Sequence, residues 1–159
     1  MTKIILASNN QNKVAEVKEI LKDKNVEIVS LKEAGIDVDV EENGTTFEEN
    51  ALIKARAVCK MTGSVTMADD SGLEVDYLDK QPGVYSARFM GHDTSYDIKN
   101  KAIIDKLEGV EGDARSARFV AAIAVVFPDG KEIVTRGTME GLIAREPAGD
   151  NGFGYDPIV

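Results

Sequence analysis

The first part of the chain alternates between short apolar runs and an amphipathic stretch. Lys3 to Ala7 is nearly all apolar, which is typical of a strand covered on both faces. A polar loop follows, and beyond it apolar residues recur at helical spacing, at Val14, Val17, Ile20 and Leu21. Val26 to Leu31 alternates between apolar and polar positions and indicates a second strand. The pattern therefore predicts a strand, a helix and a strand in succession.

The middle of the chain carries the signals of two further helices. Two overlapping Thr-x-x-Glu capping boxes begin at Thr45 and Thr46, and the helix they open is expected to end near Gly63. Asp93 or Thr94 can cap a third helix. The apolar positions of that third helix are Ile98, Ile103, Ile104 and Leu107.

The last part of the chain reads as a β-hairpin. Ala117 to Phe127 and Glu132 to Gly137 are β-prone, and Pro128 to Lys131 between them is a strong turn signal. Leu142 to Arg145 predicts a further short strand. Alternating strands and helices closed by a hairpin predict a mixed α/β fold, and 159 residues suit a single domain.

Composition narrows the class of protein. The chain is 43% hydrophobic, but no apolar run approaches the roughly 20 residues of a membrane-spanning helix. The N-terminus lacks the pattern of a signal peptide, and Cys59 has no second cysteine with which to pair, so we expect a cytoplasmic protein. The net charge of −9 argues against a general nucleic-acid binder, but a few local cations could still hold a small anion.

Adjacent acids mark the first candidate for chemistry. The apolar run Val65 to Ala68 ends in Asp69-Asp70-Ser71-Gly72, and a second alternating run begins at Leu73. Two carboxylates at the end of a buried strand are costly unless a cation meets them, either a Lys or Arg side chain or a hard metal ion. The alternative is an ordinary turn, because Asp, Ser and Gly are also common turn residues.

The polar loop after the first strand is a second candidate. Ser8-Asn9-Asn10-Gln11-Asn12 leads from a buried strand into a helix that has Lys13 in its first turn. The unpaired N–H groups of a helix start attract anions, and Lys13 adds a full positive charge there. The segment alone is equally compatible with Asn12 capping the helix and Lys13 lying in solvent.

Two further segments leave alternatives open. Glu41 or Glu42, in an acidic loop before the second helix, could reach a metal ion. Near the end of the chain, glycines surround Phe153 and Tyr155. Aromatic rings framed by glycine suit the stacking of a nucleobase, but a turn with both rings buried is the simpler interpretation.

Several motifs occur together and in order along the whole chain. They are Ser8-Asn9-Asn10 with Lys13 and Glu16, Phe47-x-x-Asn50-Ala51, Ala68-Asp69-Asp70-Ser71-Gly72-Leu73, Pro82-Gly83-x-Tyr85-Ser86-Ala87-Arg88, and Arg145-Glu146-Pro147-Ala148-Gly149 with Gly152-Phe153-Gly154-Tyr155-Asp156-Pro157. In this set the chain resembles the inosine triphosphate pyrophosphatase family, which acts on dITP, ITP and XTP.

The resemblance implies a long central mixed sheet with flanking helices, and two lobes around a nucleotide cleft. It implies hydrolysis of purine nucleoside triphosphates with aberrant bases to the monophosphate and pyrophosphate, with Mg²⁺ as cofactor, in a homodimer. Members usually continue beyond the position of Val159 with a segment that carries a Lys and a Ser-His-Arg motif and reads the base. We therefore expect a single domain, 1–159, that is short at its C-terminus.

The resemblance also assigns roles residue by residue. Asp70 would be the general base and a metal ligand, and Lys13 the second catalytic residue. Glu42 would complete the metal site, with Glu41 as its rival. The residues expected to bind substrate are Ser8, Asn9, Asn10, Gln11, Asn12, Lys13, Ser71, Phe153, Gly154, Tyr155 and Asp156. Competing functions are a nucleotide-binding protein without turnover and a pyrophosphatase of the related septum-inhibitor class.

Overall fold

The structure is a computed structural model that describes residues 2–38, 40–86 and 95–145, together with Tyr155 and Ile158. Its strands are β1 (Thr2–Leu6), β2 (Val26–Ser30), β3 (Thr66–Val75), β4 (Gln81–Pro82), β5 (Ser116–Val126) and β6 (Glu132–Leu142). Its α-helices are α1 (Gln11–Ile20), α2 (Phe47–Thr62) and α3 (Tyr96–Lys106). Within these ranges, no helix has both the length and the apolar character needed to cross a bilayer.

The strands form one mixed sheet in the order β2-β1-β3-β5-β6, with β4 paired to β3. β1 runs parallel to both of its neighbours, with Thr2 opposite Val26 and Ile5 opposite Thr66. β4 pairs with β3 in the antiparallel direction. The expected α/β fold with a central mixed sheet is therefore confirmed.

The chain divides into two compact units, in keeping with the two expected lobes. The first unit comprises Met1–Asp70 and Ala122–Arg136, and the second comprises Ser71–Ala121 and Gly137–Val159. In the first unit, α2 packs its small apolar face into a core with residues of β1, β3 and β5, and α1 contributes to a smaller cluster. In the second, Leu73 and Ile103 belong to a separate core. Each unit thus has its own hydrophobic interior.

The segment Asp69 to Gly72 is not a turn, so the prediction that a strand ends there is wrong. β3 continues through it to Val75. The buried positions change from Thr66 and Ala68 in the first half of β3 to Leu73 and Val75 in the second, a shift from even to odd residues. That change of face interrupts the alternation and made one strand look like two.

Other predictions at element ends also need correction. Asn10, not Asn12, caps α1, and Ser95 caps α3, whereas Asp93 and Thr94 lie outside the described residues. β6 is one strand as far as Leu142, where two were expected. Two positions expected on apolar faces are exposed, at 74% for Ile20 and 53% for Ile98. The second helix does begin after Thr46 and end at Gly63, the hairpin is present, and Cys59 is buried.

Candidate active site

The paired acids lie just beyond the point where β1 ends. Leu6, the last residue of β1, is opposite Met67 of β3. β3 continues past this pair, so Asp69 and Asp70 follow on a strand whose parallel neighbour has stopped. The carboxyl ends of parallel strands are the usual position of ligand sites in α/β sheets.

Strand geometry separates the two neighbouring carboxylates. Successive side chains of a strand point to opposite faces of the sheet, so Asp69 shares a face with Met67, and Asp70 shares the other with Ala68. Met67 packs against the cluster that contains Val14 of α1, whereas Ala68 belongs to the core formed with α2. Asp69 is therefore directed toward α1 and Asp70 toward α2.

On the α1 side, Asp69 forms an ion pair with Lys13. The distance from Lys13 Nζ to Asp69 Oδ2 is 2.9 Å, and the two side chains are 24% and 16% exposed. A lysine is one of the two kinds of cation expected to meet the paired acids. Asp69 holds the cation that the sequence singled out.

The loop before α1 uses part of its own hydrogen-bonding capacity. Asn10 Oδ1 accepts hydrogen bonds from the backbone N–H groups of Asn12, at 3.0 Å, and Lys13, at 3.3 Å. Ser8 Oγ accepts one from the Asn10 N–H at 3.1 Å. Asn9 and Asn10 of the loop are exposed, as are Gln11 and Asn12, which lie in the first turn of α1. An anion at this loop would therefore meet polar side chains and Lys13, while two of the helix-start N–H groups are occupied by Asn10.

On the α2 side, Asp70 accepts a hydrogen bond at Oδ2 from Asn50 Nδ2 at 3.1 Å. Burial raises the pKa of Asp70 from 3.8 to about 6, because loss of water disfavours the charged form. Lys54, Asn50 and Lys13 oppose this rise in pKa, and Glu42 adds to it. The carboxylate thus lies in a cluster of charges, and its pKa is close to neutral pH.

Glu42 is the acid of the loop that comes near this cluster. Its Oε1 lies 2.8 Å from Lys54 Nζ, and Lys54 also donates a hydrogen bond to the main-chain oxygen of Asp69. Glu41 is exposed, whereas Glu42 is partly buried. The geometry therefore favours Glu42 over Glu41 as the acid that acts together with Asp70.

Asn50 and Lys54 were not among the predicted site residues. They lie one turn apart on α2, on a helix whose core-facing positions are otherwise small or apolar. Asn50 is 1% exposed. The signal in the sequence that could have identified them was an Asn on the apolar face of this helix, followed by Lys at i+4. Buried polar side chains require specific partners.

The residues present fit a magnesium ion. Asp69 Oδ1 is buried and accepts no hydrogen bond from the part of the chain that the structure describes, which leaves an oxygen available to a cation. No group of three or more His, Cys, Asp or Glu side chains within that part is arranged to hold a metal by itself. Mg²⁺ prefers oxygen ligands and keeps several waters, so one or two carboxylates are enough.

The predicted base-binding residues are only partly described. Phe153, Gly154 and Asp156 lie outside the described residues, and Ser71 is exposed on β3. Tyr155 is 5% exposed, and its hydroxyl donates to the Ser86 main-chain oxygen at 2.7 Å. Its ring meets that of Tyr96 edge to face. Tyr155 therefore matches the alternative of a buried ring, and its contact with a base stays a prediction.

The fold is an α/β sheet with carboxylates and lysines near the carboxyl ends of its parallel strands, an arrangement typical of α/β proteins that bind a small ligand at that edge. The sequence profile of the Ham1 family matches residues 4–159, and the chain belongs to this family.

Comparison with individual relatives supports the assignment to this family. A dITP/XTP pyrophosphatase of Clostridium perfringens is 50% identical, and the match covers 99% of this chain and 80% of the relative. The dITP/XTP pyrophosphatase of Bacillus subtilis is 45% identical, with coverage of 99% and 80%.

Comparison with solved structures supports the same assignment. The HAM1 protein of Coxiella burnetii superposes with a TM-score of 0.90 at 42% identity, covering 99% of this chain and 81% of that protein. A nucleoside-triphosphatase, dITP/XTP pyrophosphatase, of Mycobacterium abscessus gives a TM-score of 0.85 at 46% identity, with coverage of 99% and 82%. The family resemblance seen in the sequence motifs is thus confirmed.

Proposed function

We propose that this protein hydrolyses purine nucleoside triphosphates with aberrant bases, namely dITP, XTP and ITP, to the nucleoside monophosphate and pyrophosphate. The observation that carries the proposal is Asp70, a partly buried carboxylate of raised pKa, beside Glu42 and two lysines. It occurs in a chain of the Ham1 family whose relatives in C. perfringens and B. subtilis are dITP/XTP pyrophosphatases.

Asp70 acts as the general base. With a pKa of about 6 it is mainly ionised at neutral pH and is well matched to accept a proton there. It takes a proton from water, the water oxygen bonds to the α-phosphorus, and the bond from that phosphorus to the bridging oxygen breaks. Pyrophosphate leaves with that oxygen. Asn50 fixes the carboxylate by its hydrogen bond.

Asp70 and Glu42 are the residues that would hold Mg²⁺. When bound, the ion would neutralise charge on the phosphates, which is the main requirement of phosphoryl transfer.

Lys13 and the loop Ser8 to Asn12 bind the triphosphate. Lys13 is held at the start of α1 by Asp69 and offsets the charge of the phosphates. The exposed amides of the loop supply neutral hydrogen bonds. Ser71 and the segment Phe153 to Asp156 hold the sugar and base, as the resemblance implies.

Homodimerisation and a cytoplasmic location complete the proposal. The first rests on the family resemblance, and the second on the single cysteine, Cys59, which has no second cysteine with which to form a disulfide. Light scattering on the purified protein measures the first, and fractionation of cells measures the second.

The test is release of pyrophosphate from dITP, XTP, ITP and GTP, with and without Mg²⁺. We expect fast release from the first three, slow release from GTP, and loss of release when the ion is chelated. Nucleotide binding without release would contradict the proposal and favour a binding protein without turnover.

A further inference from the structure

Asn50 uses both ends of its side-chain amide inside the protein. Its Oδ1 accepts a hydrogen bond from the Gly44 N–H at 2.8 Å, and its Nδ2 donates to Asp70 Oδ2 at 3.1 Å. The side chain is 1% exposed. A flipped amide would place its NH₂ group against the Gly44 N–H and its oxygen against the Asp70 carboxylate. The two partners therefore fix the orientation of the Asn50 amide.

The partner loop is pressed closely onto α2 at Gly44. A Cβ at this position would lie 2.7 Å from Glu49 Cβ and 2.8 Å from Asn50 Oδ1, closer than such atoms approach one another. Glycine is therefore required by the close contact of the loop with the helix. Thr45, the next residue, donates its N–H to Glu49 Oε2 at 2.8 Å and anchors the same loop.

The anchored loop is the one that carries Glu42, two residues before Gly44. Asn50 therefore links the main chain that positions the Glu42 carboxylate to the side chain of Asp70. The short separation from Gly44 leaves little freedom for the main chain at Glu42 once the N–H is held.

We propose that Asn50 is a positioning residue, which together with Gly44 holds the Glu42 loop and Asp70 in the arrangement that receives a divalent cation. The inference rests on the metal site of the proposed function and deepens it. Hydrogen bonds to carboxylate ligands typically change metal affinity 10- to 100-fold when they are removed. If Asn50 serves only to stabilise the fold, its loss will lower stability and leave cation binding unchanged.

The experiment measures Mn²⁺ binding to the metal-free, substrate-free protein by electron paramagnetic resonance. Asn50→Leu removes both hydrogen bonds and retains the side-chain volume approximately. Gly44→Ala displaces the loop while Asn50, Asp70 and Glu42 all remain. Both variants should bind Mn²⁺ at least about 10-fold more weakly than the parent.

Val58→Ala is the matched control. Val58 lies on the same helix, is fully buried, and belongs to the apolar core of the first unit. This variant should lose stability but bind Mn²⁺ within about two-fold of the parent. Circular dichroism at each titration temperature shows whether the three variants are folded.

The outcomes separate this inference from the proposed function. Affinity within two-fold of the parent in folded Asn50→Leu or Gly44→Ala would overturn it, as would a parent that binds no Mn²⁺. If both variants bind Mn²⁺ more weakly than the parent, but the parent releases no pyrophosphate from dITP, the positioning role is supported and the proposed function is contradicted.

Discussion

Two sets of acids lie close together in the sequence and have opposite surroundings. The first is Asp69 and Asp70, and the second is Glu74 and Asp76. Asp70, at the end of the first unit, is partly buried and accepts one hydrogen bond from Asn50, and its pKa is raised to about 6. Asp76, in the second unit, accepts hydrogen bonds from Arg118 at 3.0 and 2.8 Å and from Ser116 Oγ at 2.5 Å. These bonds, those of Arg118 first, hold the pKa of Asp76 below 3.8.

The difference lies in how completely the charge is compensated. Arg118 also bonds to Glu74 and Glu140, so the second set is an ion network with a cation at its centre. Such a network stabilises the folded chain and lowers the pKa of Asp76, so that this carboxylate stays ionised at neutral pH. In the first set, the charge of Asp70 is incompletely compensated, which costs stability and leaves a reactive base. We infer that the first set serves function and the second serves the fold.

The largest expected effect is on turnover. Asp70→Asn should lower kcat for dITP by about 10²- to 10⁴-fold, because an amide cannot act as the base. Asp76→Asn should leave kcat within about two-fold at a temperature where it is folded. The pyrophosphate-release assay measures both. Similar losses in the two variants would remove the functional distinction between the two sets.

The next effect is on binding of the triphosphate. Lys13→Ala should weaken binding of dITP about 10- to 100-fold, since a charge-assisted hydrogen bond contributes roughly 1.5–3 kcal/mol, and should weaken dIMP less. Lys18→Ala is the control, because Lys18 lies on the same helix and pairs with Glu33 in solvent. Calorimetric titration gives the affinities. Equal losses for dITP and dIMP would count against a phosphate loop.

A smaller effect is expected on stability in the second set. Arg118→Gln removes the cation that Glu74, Asp76 and Glu140 share. We expect the free energy of unfolding to fall by about 1–3 kcal/mol, while kcat for dITP is retained in the folded protein. Urea denaturation measures the loss. An unchanged midpoint would mean that the network contributes nothing to the fold.

A further effect on stability distinguishes Asp70 from Asp76 by its sign. The pKa of Asp70 is raised in the folded state, so its stabilising contribution is complete below pH 4 and is lost as the pH rises through 6. Asp70→Asn should therefore be more stable than the parent at pH 7 and equal to it near pH 4. The pKa of Asp76 is lowered, so its contribution is present above pH 4 and lost below. Asp76→Asn should be less stable than the parent at pH 7.

Urea denaturation at the two pH values, in the presence of a chelator, checks both signs. A loss of stability at pH 7 in Asp70→Asn would mean that its carboxylate is compensated after all. Equal stability of Asp76→Asn and the parent at pH 7 would show that the bonds of Arg118 contribute nothing measurable there.

The sequence predicted which residues lie together better than it predicted the path of the chain through them. Adjacent acids, a helix start and an acidic loop are local patterns, and they pointed to Asp69-Asp70, Lys13 and the Glu41-Glu42 pair. The family resemblance then singled out Asp70 and Glu42. The continuation of β3 through Asp69 and Asp70 was missed, because a change of buried face looks the same as a turn in the alternation of residues.

The partners of the site residues could not be obtained from local patterns. The pairing of Lys13 with Asp69 depends on which face of β3 meets α1, and therefore on sheet register. Asn50 and Lys54 act through a strand and a loop that are distant in sequence. The two opposite pKa shifts likewise follow from burial and from Arg118, which appear only when the chain is folded.

The central claim is that Asp70 is an under-compensated carboxylate and Asp76 a compensated one. A ¹³C NMR titration of the Asp side-chain carboxyl groups in the metal-free protein tests it directly, with Asp70→Asn and Asp76→Asn to assign the signals. We expect a midpoint near pH 6 for Asp70 and one below 3.8 for Asp76. Midpoints below 4 for both carboxyl groups would contradict it.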